Sequence, residues 1–466
     1  MQKVIDYLSS HNEQSIEQLK DLVRFASVSA QPEKYGRETL ACADWLVRHC
    51  TDIGLETVLH QTSGNPIIVA RVPRERVANP DSAPTILLYG HYDVQPPEPF
   101  ELWETPPFEP TIRNNNLFAR GAADNKGQHF AHLKAIEAYI RTGTPLPCHI
   151  TFLIEGEEEV GSGSLYSFIE EHADSLKADF LFISDNGIPG LEHPTVTYAL
   201  RGVSAMEVEL TGPDRDLHSG FFGGAVANPA MELCRLMAKI HDDHGRIRIP
   251  GFYDRVRELT SEERESFRML PETDESVKNL TGVPELYGED GFTTYERRTS
   301  RPTVEINGMT SGYQGSGSKT IVPSKASAKI TMRLVPDQDP TEALDQLEQF
   351  LKDQCPPTVR IKITRGHAGE PYLTSPDGPF ATAARTAVEK AFGHPALIAR
   401  EGGSIPIINE FRNCLGIDTL LPGLSLPDDN MHSPNEKFSL ECFEKGKVMS
   451  AWLFHEIGVQ VAGSRD

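Results

Sequence analysis

No CxxC pair occurs among the seven cysteines of this 466-residue chain, which stand at positions 42, 50, 148, 234, 355, 414 and 442. Their number is odd and their spacing irregular, so neither a disulfide framework nor a structural zinc knot is expected. No apolar run approaches the ~18 residues of a membrane span. The opening stretch MQKVIDYLSSHNEQSIEQL lacks the apolar centre of a secretory signal, so the cytoplasm is the expected compartment and no membrane partner is expected. Positive charge is scarce: 45 Lys and Arg stand against 67 Asp and Glu, for a net charge of -22. A nucleic-acid partner, which needs a basic face, is therefore not expected either. No internal repeat or low-complexity tract stands out. The stretch GYQGSGSKT (312–320) resembles a phosphate-binding loop, but Ser318 separates Gly317 from Lys319 and a strand-like segment follows, so the G-x-x-x-x-G-K-[ST] pattern fails.

What is present has the proportions of a globular protein, with 38% hydrophobic and 24% charged residues. The length exceeds what one core usually serves, so about two or three domains are expected. In the first part, TILLYG (85–90), CHITFLIE (148–155) and DFLFIS (179–184) are short continuous apolar runs, as in strands buried on both faces of a parallel sheet. SIEQLKDLVRFA places Ile16, Leu19, Leu22 and Val23 on one helical face. ETLACADWLVRHC and DNKGQHFAHLKAIEAYIR also read as helices. The resulting βαβ rhythm indicates the α/β class.

From about residue 199 the texture changes. SAMEVELTG alternates as a half-exposed strand does, and RPTVEING, KTIVP, KASAKITMRLV and TVRIKITR are strand-like. A helix is expected after Asn228 and Pro229. Another is expected after Asp339 and Pro340, with Glu342 closing a capping box. Residues 246–300 are charged and weakly patterned, and are expected to be loop-rich. After about residue 372, FATAARTAVEKAF and GIDTLLP return to the first texture. The expected fold is thus α/β, with a mainly parallel-sheet domain (1–198 and 373–466) interrupted by a smaller α+β domain (199–372).

The three apolar runs share one feature. The first leads into His91 and Asp93, the second into Glu155 and Glu157–Glu159, and the third into Asp185. Sites in open α/β sheets form beyond the carboxyl ends of the strands. Asp124, in ARGAADNKG, adds a carboxylate that a helix N-cap would also explain. The EGEEEVGS stretch is either a solvated turn or a cation site. With His91, Asp124, Glu158 or Glu159, and Asp185, the donors are nitrogen and oxygen without sulfur, suited to Zn²⁺, Mn²⁺ or Co²⁺. A carboxylate can bridge two such ions, which would offset the repulsion among the glutamates and leave one of them free as a base. His218 in DLHSG and His432 in LPDDNMHSPNE lie in polar surroundings where a histidine by itself reads as solvated.

Taken together, GHYDVQP, ARGAADNKG, EGEEEVGS, SDN, DLHSG, MRLVP, REGGSIP and MHSPNE resemble the M20 family of co-catalytic metallopeptidases, in its dipeptidase branch. They follow the family's order over nearly the whole chain. The resemblance implies two divalent cations per subunit, Zn²⁺ first and Mn²⁺ or Co²⁺ as alternatives. It implies His91, Asp124, Glu159, Asp185 and His432 as ligands, with Asp124 bridging. It implies Glu158 as general base and Asp93 as the carboxylate that orients His91, with Glu157 as an extra residue. It further implies Arg333, Gly403 and Ser404 as substrate contacts. His218 is implied to reach the active site of a partner subunit, which makes the inserted segment a lid and the protein a homodimer. The expected reaction is hydrolysis of dipeptides or short peptides with a free C-terminal carboxylate. The alternatives are an N-acyl amino-acid amidohydrolase and a metal-binding scaffold without turnover.

Overall fold

The computed structural model describes residues 1–462; residues 463–466, the tail of the expected final segment, lie outside them. The apolar runs form strands Thr85–His91, His149–Glu155 and Phe180–Ile183, which are parallel neighbours. Successive side chains on a strand face opposite ways, and both faces here are covered. Ile86, Leu88, Phe152 and Phe182 join one apolar cluster, and Leu87, Tyr89, Leu153 and Leu181 join another. Helices Pro32–Ile53, Gly127–Thr142, Pro379–Phe392 and Leu440–Ala462 contribute to the first cluster, and helices Gly163–His172 and Ile407–Leu415 to the second.

These strands belong to a nine-stranded sheet. Its order is Glu56–His60, Ile67–Arg71, His149–Glu155, Thr85–His91, Phe180–Ile183, Thr419–Pro422, Thr195–Leu200 and Tyr372–Leu373, with Leu397–Glu401 also paired to Thr195–Leu200. The parallel arrangement expected from the apolar runs holds for the four central strands. Towards both flanks the pairing is antiparallel, except that Leu397–Glu401 runs parallel to its neighbour.

The chain passes from Leu200 of this sheet directly to Gly202, the first residue of a second, four-stranded antiparallel sheet. That sheet is ordered Thr303–Ser311, Lys325–Leu334, Gly202–Thr211, Arg360–Gly369. It returns to the large sheet between Gly369 and Tyr372. The outgoing and returning segments touch: a Cβ on Gly202 would lie 2.6 Å from the Pro371 nitrogen, so only glycine fits that crossing. Met206, Val208, Leu210 and Met332 pack with Leu233 and Leu347 of helices Pro229–Ala238 and Pro340–Gln354. Both expected caps form, with Asn228 Oδ1 accepting from Ala230 N at 2.9 Å and Asp339 Oδ1 from Glu342 N at 2.8 Å. The Glu342 side chain does not close the expected box; it pairs with Arg255 at 2.8 Å.

The expected loop-rich segment contains three helices, Ser261–Met269, Asp274–Thr281 and Thr294–Thr299. Each starts at a threonine capping box: Thr260 with Glu263, Thr273 with Ser276, and Thr293 with Glu296. A threonine cap contributes about 1 kcal/mol, a useful share for helices too short to propagate alone. The segment packs on strand Leu397–Glu401. Arg400 and Tyr198 both bond the Glu263 carboxylate, and Tyr295 OH donates to Arg400 O at 2.7 Å. Among the described residues no helix is long and apolar enough to cross a membrane, and all seven cysteines are free thiols.

Candidate two-metal centre

The three parallel strands end side by side, with His91 directly opposite Glu155 in register. His91 is the last residue of its strand, Asp185 lies two residues past Ile183, and the remaining glutamates follow Glu155 in a short turn, Glu158–Val160. Asp124 sits in the turn Ala122–Lys126 ahead of helix Gly127–Thr142, and its side chain makes no helix-cap bond. The buried Glu436 carboxylate holds that turn. It accepts from Gly121 N and Ala123 N at 2.9 Å, from Asp124 N at 3.1 Å and from Arg120 Nη1 at 2.7 Å. The Asp124–Asn125 peptide bond is cis. Asn125 Nδ2 donates to Asp185 Oδ1 at 2.8 Å and to Ser184 O at 2.6 Å, while its Oδ1 accepts from His91 N at 3.3 Å.

Asp124 turns one oxygen to each of two histidines. Its Oδ1 lies 3.2 Å from His91 Nε2, and its Oδ2 lies 2.8 Å from His432 Nε2. Asp185 Oδ2 stands 3.7 Å from His91 Nε2, and Glu159 Oε2 stands 3.4 Å from His432 Nε2. Two donor groups therefore share one carboxylate: His91, Asp124 and Asp185, then Asp124, Glu159 and His432. Within each group the donor atoms lie within 4.8 Å of one another. His432 adopts a left-handed backbone, φ +62°, which costs a non-glycine residue roughly 1–2 kcal/mol and is typical of backbone held for function. The loop is anchored by Asn435, which accepts from Glu104 N and donates to Leu102 O, both at 2.8 Å.

The charge balance shows what this arrangement lacks. Burial, then the charge of Asp124, pushes the Glu159 carboxyl up to about 10, and burial raises Glu158 to about 7. Burial also raises Asp185. Asp124 alone is held below the usual carboxylate range, because hydrogen bonds from His432 and His91 outweigh its burial. Several carboxylates crowd around two imidazoles, an arrangement that disfavours full ionisation of all of them at once. Divalent cations supply the compensating positive charge, and the donors are all imidazole or carboxylate. The residues present thus fit a pair of metal ions, with His91, Asp124 and Asp185 able to hold one and Asp124, Glu159 and His432 the other.

The glutamates separate by their contacts. Glu157 accepts from Asn65 N at 3.1 Å and from Ser164 N at 2.9 Å, anchoring the start of helix Gly163–His172. Glu155 accepts from Tyr89 OH at 2.6 Å and Ser162 Oγ at 2.8 Å, and burial pushes its carboxyl up to about 8. Glu159 joins His432 and also accepts from Gln95 Nε2 at 2.7 Å. Glu158 belongs to neither donor group. Asp93 binds this turn to His91. Its carboxylate accepts from Glu158 N at 3.2 Å and Glu159 N at 3.1 Å, takes Ser29 Oγ at 2.7 Å, and lies 3.3 Å from His91 Nδ1.

Gln95, Asn125 and Glu436 were not singled out from sequence. They stand inside GHYDVQP, ARGAADNKG and MHSPNE, but a lone amide or acid there carries no spacing signal. A third group, Glu170, Glu410 and Cys414, also brings donor atoms within 4.8 Å; Cys414 already donates to Glu410 Oε1 at 2.8 Å.

Of the remaining expected site residues, Arg333 and Ser404 meet directly. Arg333 Nη1 donates to Ser404 Oγ at 3.0 Å, and Gly403 O in the same loop accepts from Arg201 N at 3.1 Å. His218 stands apart from both sets. It is exposed, accepts from Gly220 N at 3.0 Å and packs on Phe221. Among the described residues no hydrogen bond or ion pair joins it to the donor groups.

Residues 87–454 match the model of peptidase family M20/M25/M40. The chain is 31% identical over 472 residues to the Cys-Gly metallodipeptidase dug1 of Schizosaccharomyces pombe, covering 98% of each chain. It is 30% identical over 474 residues to the human Beta-Ala-His dipeptidase, covering 98% of this chain and 92% of that one. Its fold superimposes on the crystal structure of the M20 family metallo-carboxypeptidase Sso-CP2 from Sulfolobus solfataricus with a TM-score of 0.83 and 31% identity, covering 96% of this chain and 99% of that one. Since the family model spans residues 87–454, which hold every residue that converges at the sheet tips, and the likeness runs the length of the chain, this protein belongs to peptidase family M20/M25/M40 and is a metallopeptidase.

Proposed function

We propose that this metallopeptidase cleaves dipeptides or short peptides with a free C-terminal carboxylate, using two divalent cations per subunit. Zn²⁺ is the first choice, and Mn²⁺ and Co²⁺ also suit the donors. One observation carries the proposal: a single carboxylate, Asp124, faces two histidines with one oxygen each, and a further carboxylate lies beside each histidine. When bound, the cations polarise the scissile carbonyl and acidify the attacking water. The chain's own residues do the rest. Glu158, which stands beside both donor groups and belongs to neither, takes a proton from the attacking water and returns it to the leaving amine. Asp93 fixes the tautomer of His91 and the backbone of the glutamate turn.

Arg333, with Ser404 and Gly403, holds the substrate's carboxylate. The helix-free face of the four-stranded sheet supports this role. There Lys329 pairs with Glu207 directly across the strands at 3.3 Å, and Lys325 reaches diagonally to Glu209 at 3.1 Å. Arg333 is next in that series, but Val203 stands opposite it, and among the described residues no carboxylate lies within ion-pair distance. A planar guanidinium left free in this way suits a carboxylate brought by the substrate. The names of the compared proteins, two dipeptidases and a carboxypeptidase, point the same way. Arg333→Ala is expected to raise KM for free-carboxylate dipeptides about 100-fold, and for their C-terminal amides by less than about 3-fold, in parallel steady-state assays.

In this proposal residues 1–198 and 373–466 form the catalytic domain and 199–372 the lid. The lid carries the homodimer contact, supported by the exposed Phe221 and Phe222 beside His218, and His218 serves the partner's active site. Light scattering should give a dimer, and a fully active monomer would remove that role from His218. Seven free thiols suit a reducing compartment such as the cytoplasm. The deciding experiment is elemental analysis of purified protein together with a substrate panel. Two equivalents of metal and hydrolysis of dipeptides are expected. Faster cleavage of N-acetyl or N-succinyl amino acids would make the protein an amidohydrolase instead, and a metal-loaded protein that cleaves nothing would leave only a scaffold.

A further inference from the structure

Arg201 lies at the crossing between the two sheets, one residue past Leu200 and one before Gly202. Three contacts tie it to the loop that Arg333 also touches. Its backbone N donates to Gly403 O at 3.1 Å, its Nε donates to Gly402 O at 3.0 Å, its own carbonyl accepts from Ser404 Oγ, and Ser404 Oγ in turn accepts from Arg333 Nη1 at 3.0 Å. Strand geometry agrees with this placement. Val203 is the register partner of Arg333, and a period of two carries position 201 towards the same face. Two guanidinium groups therefore flank one short loop.

The Glu305 and Glu401 carboxylates act on Arg201 only from beyond ion-pair distance. Among the described residues no carboxylate comes within ion-pair distance of Arg201 or Arg333, and Arg201 Nη1 is buried without any hydrogen-bond partner. The neighbouring Arg298, which could have been a third free cation, is spent on Glu272. Burial, then the charges of Arg333 and Arg298, lower the Arg201 pKa to about 10, so the pair of guanidinium groups is an electrostatically costly arrangement as it stands. A buried donor left without a partner is rare in folded proteins. A carboxylate brought within hydrogen-bond range would satisfy that donor and offset the like charges.

We propose that Arg201 is a second guanidinium contact to the terminal carboxylate of the substrate, acting beside Arg333 and Ser404, and thereby a determinant of the preference for peptides with a free C-terminus. The inference rests on the carboxylate-binding role given above to Arg333. A carboxylate offers two oxygens and about four acceptor positions, enough to take both guanidinium groups and the hydroxyl between them.

The test is the ratio of kcat/KM for the best dipeptide of the panel to kcat/KM for its C-terminal amide, measured on metal-loaded wild type, Arg201→Met, Arg201→Lys and Arg333→Ala. The ratio should fall about 10- to 100-fold in Arg201→Met, the loss of a hydrogen bond to a charged group. It should fall less in Arg201→Lys, which keeps the charge but not the fork. A ratio unchanged in Arg201→Met but collapsed in Arg333→Ala overturns this inference and spares the role of Arg333. A ratio unchanged in both overturns the carboxylate site as a whole. Should Arg201→Met fail to fold, Arg201→Lys decides alone: a ratio lowered by about 3-fold or more supports the contact, and an unchanged ratio overturns it.

Discussion

Glu158→Gln is expected to lower kcat by about 10²- to 10⁴-fold, the contribution of a positioned general base, and to leave metal uptake at the wild-type level. This outcome follows from how the three adjacent glutamates divide. Glu157 is committed to Asn65 and Ser164, and Glu159 to His432 and Gln95. Glu158 lies next to the donor groups without belonging to either. Its amide hydrogen bond to Asp93 is made by the backbone and survives the substitution. Glutamine keeps the volume and removes only the ability to take a proton. The measurement is a single-turnover rate beside metal analysis of the same sample. A rate within about 10-fold of wild type would assign the base elsewhere, with Glu159 the first residue to test. Loss of metal instead would show that Glu158 is a ligand.

Asp124→Asn has the opposite signature: metal is lost first, and activity follows. Asp124 is the one side chain shared by both donor groups, and an amide offers a single acceptor atom where the carboxylate offers two. Outer partners of metal ligands typically cost 10- to 100-fold in affinity, so a ligand common to both ions should cost more than about 100-fold. Titration with a chromophoric chelator should show fewer than two ions retained. The substitution also removes a stabiliser of both protonated histidines: hydrogen bonding to Asp124 is the main cause that raises His432, and against its burial His91 is raised first by the charge of Asp185 and then by hydrogen bonding to Asp124. In metal-free wild type both imidazoles hold their protons to higher pH than usual, so protons compete with metal further up the pH scale. Metal affinity therefore rises with pH, and its pH dependence moves to lower pH in Asp124→Asn. Unchanged stoichiometry and an unmoved pH dependence would remove Asp124 from the bridge.

The three helices of residues 246–300 show where a sequence understates its own structure. Their capping boxes are local and legible, as at Thr260 with Glu263, but their charged faces give no apolar stripe, and periodicity is the stronger signal. Asp124 shows the reverse. A helix follows it as expected, yet the cap position falls on Lys126 and the Asp124 side chain faces histidines far from it in the chain, while Glu436, 312 residues away, accepts from its backbone nitrogen.

From sequence alone came the buried strands, the acids and imidazole at their ends, the flanking caps and the ordered family motifs. All of these are set by short-range periodicity or by neighbours within a few residues. The motifs already told Glu158 from Glu159, but only the folded chain gave Glu157 its place as the anchor of Asn65 and Ser164, and only it placed Arg201 beside Arg333. Those distinctions depend on which distant side chains the packing of two sheets brings within hydrogen-bond range, and no local pattern encodes that.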